Sequence, residues 1–145
     1  MKCEKVFKRF LKENNVFNIP LAKETVEYSN DYDDFLIPLN SFRWDVTSQG
    51  HTYWFEKSLE WVMYLYSKLN EIDEDDKIRF ELGENTICEA LSDLLDNYGD
   101  VEGVDLNKSD VYKKAKELFN SLTTSIATSK NVQQTKDEEF SFSIG

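Results

Sequence analysis

One imidazole stands in 145 residues, at His51. A general base needs an orienting carboxylate and a nucleophile within reach. Asp45 lies six residues before it and Ser48 three, and that spacing gathers no triad. The expected role of His51 is therefore packing or capping, not catalysis. Carboxylates are the next chemistry to test. Glu56 and Glu60 stand four apart, as do Glu89 and Asp93. Two helices presenting such pairs could hold Mg²⁺, which neutralises phosphate charge and activates water. The run from Asp96 to Asp105 invites a calcium-loop reading. That loop needs oxygen ligands at its first positions, Gly at position 6 and Glu at position 12. Placing Gly103 at position 6 puts Tyr98 first and Ser109 last, so the pattern fails. The five glycines form no phosphate-cradling loop. Cys3 and Cys88 are too few for a disulfide framework and read as reduced thiols. No cofactor and no metal ligand set is expected.

Charge is the larger signal. The chain has 28 acidic and 17 basic side chains, a net −11 at pH 7. Residues 71–105 hold thirteen acids against Lys77 and Arg79, which equals the charge of the whole chain. Residues 1–18 are locally +3, and residues 108–117 +2. A surface of that sign repels phosphates, so direct nucleic-acid binding is disfavoured, and it attracts a basic partner. The same charge also serves plain solubility.

The stretch 42–54, FRWDVTSQGHTYW, is the most distinctive. Thr47 suits an N-cap, where its hydroxyl takes an orphan N–H of the first turn. Trp44, His51 and Tyr53 around it form either a packed aromatic cluster or the rim of a pocket. The pattern F-x-W-x-x-T-x-x-G-H-x-Y-W resembles a motif of small uncharacterised phage-encoded proteins, in which a helix of the FLKENN kind (here Phe10 to Asn15) often precedes it. The resemblance spans residues 6–61, with Ser48-Gln49 where those proteins have Pro-Glu. It implies provenance, a phage or mobile element acting inside a bacterial host, and no activity. All-α nucleotide pyrophosphatases, by contrast, use E-x-x-E followed by E-x-x-D. This chain has E-x-x-x-E and E-x-x-x-D, out of register with them.

The elements that must position these groups are helical. Val6, Phe7, Phe10 and Leu11 predict a helix over 2–13. Residues 47–70 predict a long helix with a narrow polar stripe of Lys57, Glu60, Tyr64 and Lys68. Apolar side chains cover most of the remaining circumference, which marks a central, buried helix. Asn85 is a cap candidate for a helix to about Asn97, with Gly99 as terminator. Ser109 caps a last helix to residue 127. Phe35 to Leu39 and Lys77 to Phe80 are candidate short β pieces. Residues 128–145 lack periodicity and are expected to form a flexible tail. Its Phe140 and Phe142 follow three acids and suit strand addition or groove insertion in a partner.

The expected fold is mainly α: one helical domain over residues 1–127, bundled around a central aromatic-rich helix. The N-terminus lacks a signal-type apolar run and no stretch suits a membrane span, so a cytoplasmic protein is expected. The expected function is non-enzymatic: a small acidic phage-type protein that binds and modulates or inhibits a host protein, with inhibition of a defence or nucleic-acid-handling enzyme by a DNA mimic as the concrete version. The residues expected to bind are Glu71, Asp73, Glu74, Asp75, Asp76, Glu89, Asp93, Asp96 and Asp100, with Phe140 and Phe142. The rival readings are an all-α Mg²⁺-dependent nucleotide pyrophosphohydrolase and a self-associating assembly protein, a homo-oligomer.

Overall fold

A computed structural model describes residues 1–14, 36–37, 53–101 and 104–144, the last stretch by backbone alone beyond residue 128. The order is α1 (Cys3–Glu13), α2 (Tyr53–Ser67), a 3-10 turn (Leu69–Glu71), α3 (Glu74–Arg79), α4 (Glu84–Gly99), a second 3-10 turn (Leu106–Lys108) and α5 (Asp110–Ile144). The protein is a helical bundle, and there is no strand among the described residues.

Helix α2 is the hub: α1, α4 and α5 all pack on it, and α4 also packs on α5. The cause is the near-complete apolar circumference of α2. Leu59, Trp61, Val62 and Leu65 are fully buried. Trp61 receives α1 through Phe7, with ring centroids 4.6 Å apart, and Phe10 at 5.5 Å. On the α4 side, Phe55 meets Tyr98 edge-on at 5.7 Å. Such aromatic pairs add roughly 0.5–1.5 kcal/mol beyond the area they bury. The polar stripe of α2 keeps its charges paired. Lys57 Nζ lies 2.9 Å from Glu60 Oε2, and Lys68 sits 5.7 Å over the Tyr64 ring. One polar atom inside the hub breaks the pattern. Ser58 is fully buried, and its hydroxyl has no hydrogen-bond partner among the described residues.

Several boundaries differ from the sequence expectations. Residues 77–80 are not β. Period-two spacing would put Ile78 and Phe80 on one face, but Phe80 is fully buried while Ile78 is 74% exposed. Helix α3 closes with paired reverse bonds: Leu82 N–H donates to the Lys77 carbonyl at 2.8 Å and Glu81 N–H to Ile78 at 3.3 Å. This closure requires a left-handed residue just past the cap, and Glu81 supplies it at φ 52°. The cap of α4 is Gly83, not Asn85. The Thr86 hydroxyl accepts the Gly83 N–H at 2.9 Å, a bond Asn85 is not placed to make. Gly99 is the last residue of α4, with Asp100 as its C-cap in a right-handed conformation. Helix α2 ends at Ser67 and passes into the 3-10 turn. Ser109 does cap α5, its Oγ accepting Tyr112 N–H at 3.1 Å. The backbone of α5 continues as helix to Ile144, beyond residue 127 where the apolar periodicity stops. Thr47 lies outside the described residues, as do Phe35, Pro38 and Leu39; Leu36 is fully buried.

Candidate acidic interaction surface

The described acids of residues 71–105 include two structural roles. The first is internal. Asp76 is buried, and its Oδ2 accepts the Cys3 backbone N–H at 2.8 Å. Lys2, the N-cap residue of α1, offers no side-chain bond to that helix. A carboxylate on α3 therefore does the capping, and its negative charge sits at the positive end of the α1 dipole. Asp73 reinforces the joint. The Met1 ammonium donates to Asp73 Oδ1 and to the Glu71 carbonyl, both at 2.7 Å. That hydrogen bond holds the Asp73 carboxyl below its ordinary value. Burial, with the Asp76 charge beside it, pushes the Cys3 thiol up to about 12. Asp76 thus belongs to the interior, contrary to its expected place on a binding surface. A buried acid that caps a distant helix cannot also meet a partner.

The second role is external. Glu71, Glu74 and Asp75 are exposed around α3. Glu71 lies 3.5 Å from Lys68 and Glu74 3.8 Å from Lys77, both loose surface pairs of little energetic weight. Along α4 the apolar residues Ile87, Ala90, Leu91, Leu94 and Leu95 are buried, which turns the opposite face to solvent. Glu89, Asp93, Asp96 and Asp100 are exposed there. Steps of four, three and four keep them on one stripe. Helix α4 contains no Lys or Arg. Asp93, Asp96 and Asp100 make no ion pair among the described residues.

The other expected site residues are not gathered here. Trp44 and His51 lie outside the described residues, and Tyr53 opens α2. Phe140 and Phe142 stand on the backbone of α5 beyond residue 128. Of the carboxylate pairs considered for a metal, Glu56 and Glu60 are separately engaged. Glu56 Oε1 accepts the Tyr98 hydroxyl at 3.1 Å, while Glu60 pairs with Lys57. Among the described residues no three His, Cys, Asp or Glu side chains converge. Two open clefts lined by described residues measure about 480 and 400 Å³. The larger brings Tyr66, Asn70 and Lys77 to the start of α4, and the smaller sets Glu60, Asp110 and Lys114 beside Phe10 and Tyr64. Among the described residues no helix is long and apolar enough to cross a membrane. Comparison with known protein families, curated proteins and solved structures finds no match.

The capping role of Asp76 had no signal in the sequence, because its partner lies 73 residues away. The Glu56–Tyr98 bond had a partial one: Glu56 falls toward the apolar side of α2, where a carboxylate must find a donor.

Proposed function

We propose that this chain is a small acidic binding protein whose α4 face docks on a basic surface of a partner protein. The observation carrying the reading is the α4 stripe: four exposed carboxylates with no cation on the helix. From Glu89 to Asp100 the stripe runs about 16 Å at 1.5 Å per residue. One duplex strand places about five phosphates along that axial length, at one per 3.4 Å. Four carboxylates over the same distance offer a basic groove a comparable line of charge. The concrete version is inhibition of a nucleic-acid-handling enzyme by occupation of its phosphate contacts. The resemblance of residues 42–54 to phage-encoded proteins supplies the setting, a phage protein acting on a host enzyme in the bacterial cytoplasm in host takeover or anti-defence.

The test is capture from bacterial lysate on the immobilised chain, with elution by duplex DNA. A nucleic-acid-binding protein released by DNA supports the reading. Retained proteins that DNA does not displace contradict it.

A further inference from the structure

The strongly acidic chain also carries an unused basic face. Helix α1 buries Cys3, Val6, Phe7, Phe10 and Leu11 against the bundle. Its outward face presents Lys5, Arg9 and Lys12, all exposed and without an ion pair among the described residues. Lys8 is the exception, held by Glu4 at 2.7 Å. Glu13, at the end of α1, is the one acid exposed on this helix. The three free cations stand at steps of four and three, one stripe of about 10 Å.

Asp93, Asp96 and Asp100 form the converse: three unpaired anions at steps of three and four, over the same length. Within one molecule no ion pair joins the two stripes among the described residues. Each helix packs on α2 with its apolar side, so both charged stripes face outward.

We propose that these stripes are the two halves of a self-association surface, the α1 face of one copy lying along the α4 face of a second copy. Equal length and number of the unpaired charges, with opposite sign, are what select this occupant. Nucleic acid is the weaker candidate for α1, because the net charge of −11 repels it. The same net charge opposes association of two copies at long range. At physiological salt, however, the Debye length is about 8 Å, which screens molecular centres while sparing side chains in contact. The contact is heterologous, between different patches of the two copies. It covers the α4 stripe, so self-association and the partner binding proposed above compete. The inference does not need that binding to be real.

Light scattering at two protein concentrations tests it with three forms of the full chain. One is wild type, the second carries Lys5→Glu, Arg9→Glu and Lys12→Glu, and the third Asp93→Lys, Asp96→Lys and Asp100→Lys. All six positions are exposed, and circular dichroism verifies that the helices persist. Wild type should grow in mean mass with concentration and return to single-chain mass at about 1 M salt. Each reversed form should associate at least about tenfold more weakly. Mixing the two reversed forms should restore association, because each now complements the other. A wild-type mass that never exceeds one chain overturns the proposal. So does growth that ignores the reversals, or reversed forms that do not recombine. The α1-reversed form keeps the acidic α4 face, so loss of its self-association alone leaves the reading of α4 as a partner surface standing.

Discussion

Replacing Asp76 with Ala removes the carboxylate that joins α3 to the start of α1. Its Oδ2 takes the Cys3 N–H at 2.8 Å, and Cys3 is fully buried. Without that oxygen a buried backbone donor has no acceptor, a loss of about 1–3 kcal/mol. The helix-end charge adds to this by about 0.3–1 kcal/mol. Lys2, 3.8 Å away and more than half exposed, contributes little. Relief from desolvating the carboxylate offsets part of the total, which leaves about 2 kcal/mol. In a domain of this size that is a fall of about 6 °C in Tm. Asp76→Asn retains an oxygen acceptor and loses only the charge, so it should cost about 1 kcal/mol or less. Urea denaturation followed by circular dichroism gives both numbers. Hydrogen exchange locates them: protection should fall in α1 first, because α4 is held independently by α2 and α5. An Asp76→Ala protein within about 0.5 kcal/mol of wild type would refute the capping argument. Equal damage from Ala and Asn would show that charge, not the acceptor, carries the joint.

Three further outcomes concern Cys3, Glu81 and Ser58. Because the folded Cys3 thiol is pushed up from 9.0 to about 12, the unfolded chain loses its thiol proton first. Its contribution is full below pH 9 and declines above it, by at most about 1.4 kcal/mol per pH unit; alkaline urea titration should show that slope, and Cys3→Ala should remove it. Glu81→Gly relieves a left-handed conformation and should raise stability by about 1 kcal/mol, read as a higher denaturation midpoint with unchanged slope. Ser58→Ala deletes a buried hydroxyl that has no partner among the described residues and should be neutral or stabilising by about 1 kcal/mol in the same assay.

The bundle was legible where burial follows periodicity. Val6, Phe7, Phe10 and Leu11 place α1, and Ile87, Ala90, Leu91, Leu94 and Leu95 place α4, because each row needs one apolar wall to face. The all-round apolar surface of α2 announced its central position for the same reason. Short segments failed, since Lys77 to Phe80 fits a strand as well as the end of a helix, and only the burial of Phe80 against exposed Ile78 and the reverse bonds to Lys77 and Ile78 decide. Within the acidic run, sequence could not separate Asp76 from Asp75. One caps a helix 73 residues away along the chain and the other faces solvent, a distinction made by tertiary contact alone. The α4 stripe was readable as an outer face; which cations of α1 stand unpaired became visible only once burial and ion pairs were assigned.

The proposed role of the α4 carboxylates is to hold a basic protein partner. Its most direct measurement is the salt-dependent affinity of a captured, DNA-displaceable partner for wild type and for the Asp93→Lys, Asp96→Lys, Asp100→Lys form. Wild-type binding should weaken steeply as salt screens the surface charges, and the reversed form should bind at least about a hundredfold more weakly. Equal affinities for the two forms, or wild-type binding indifferent to salt, would contradict it.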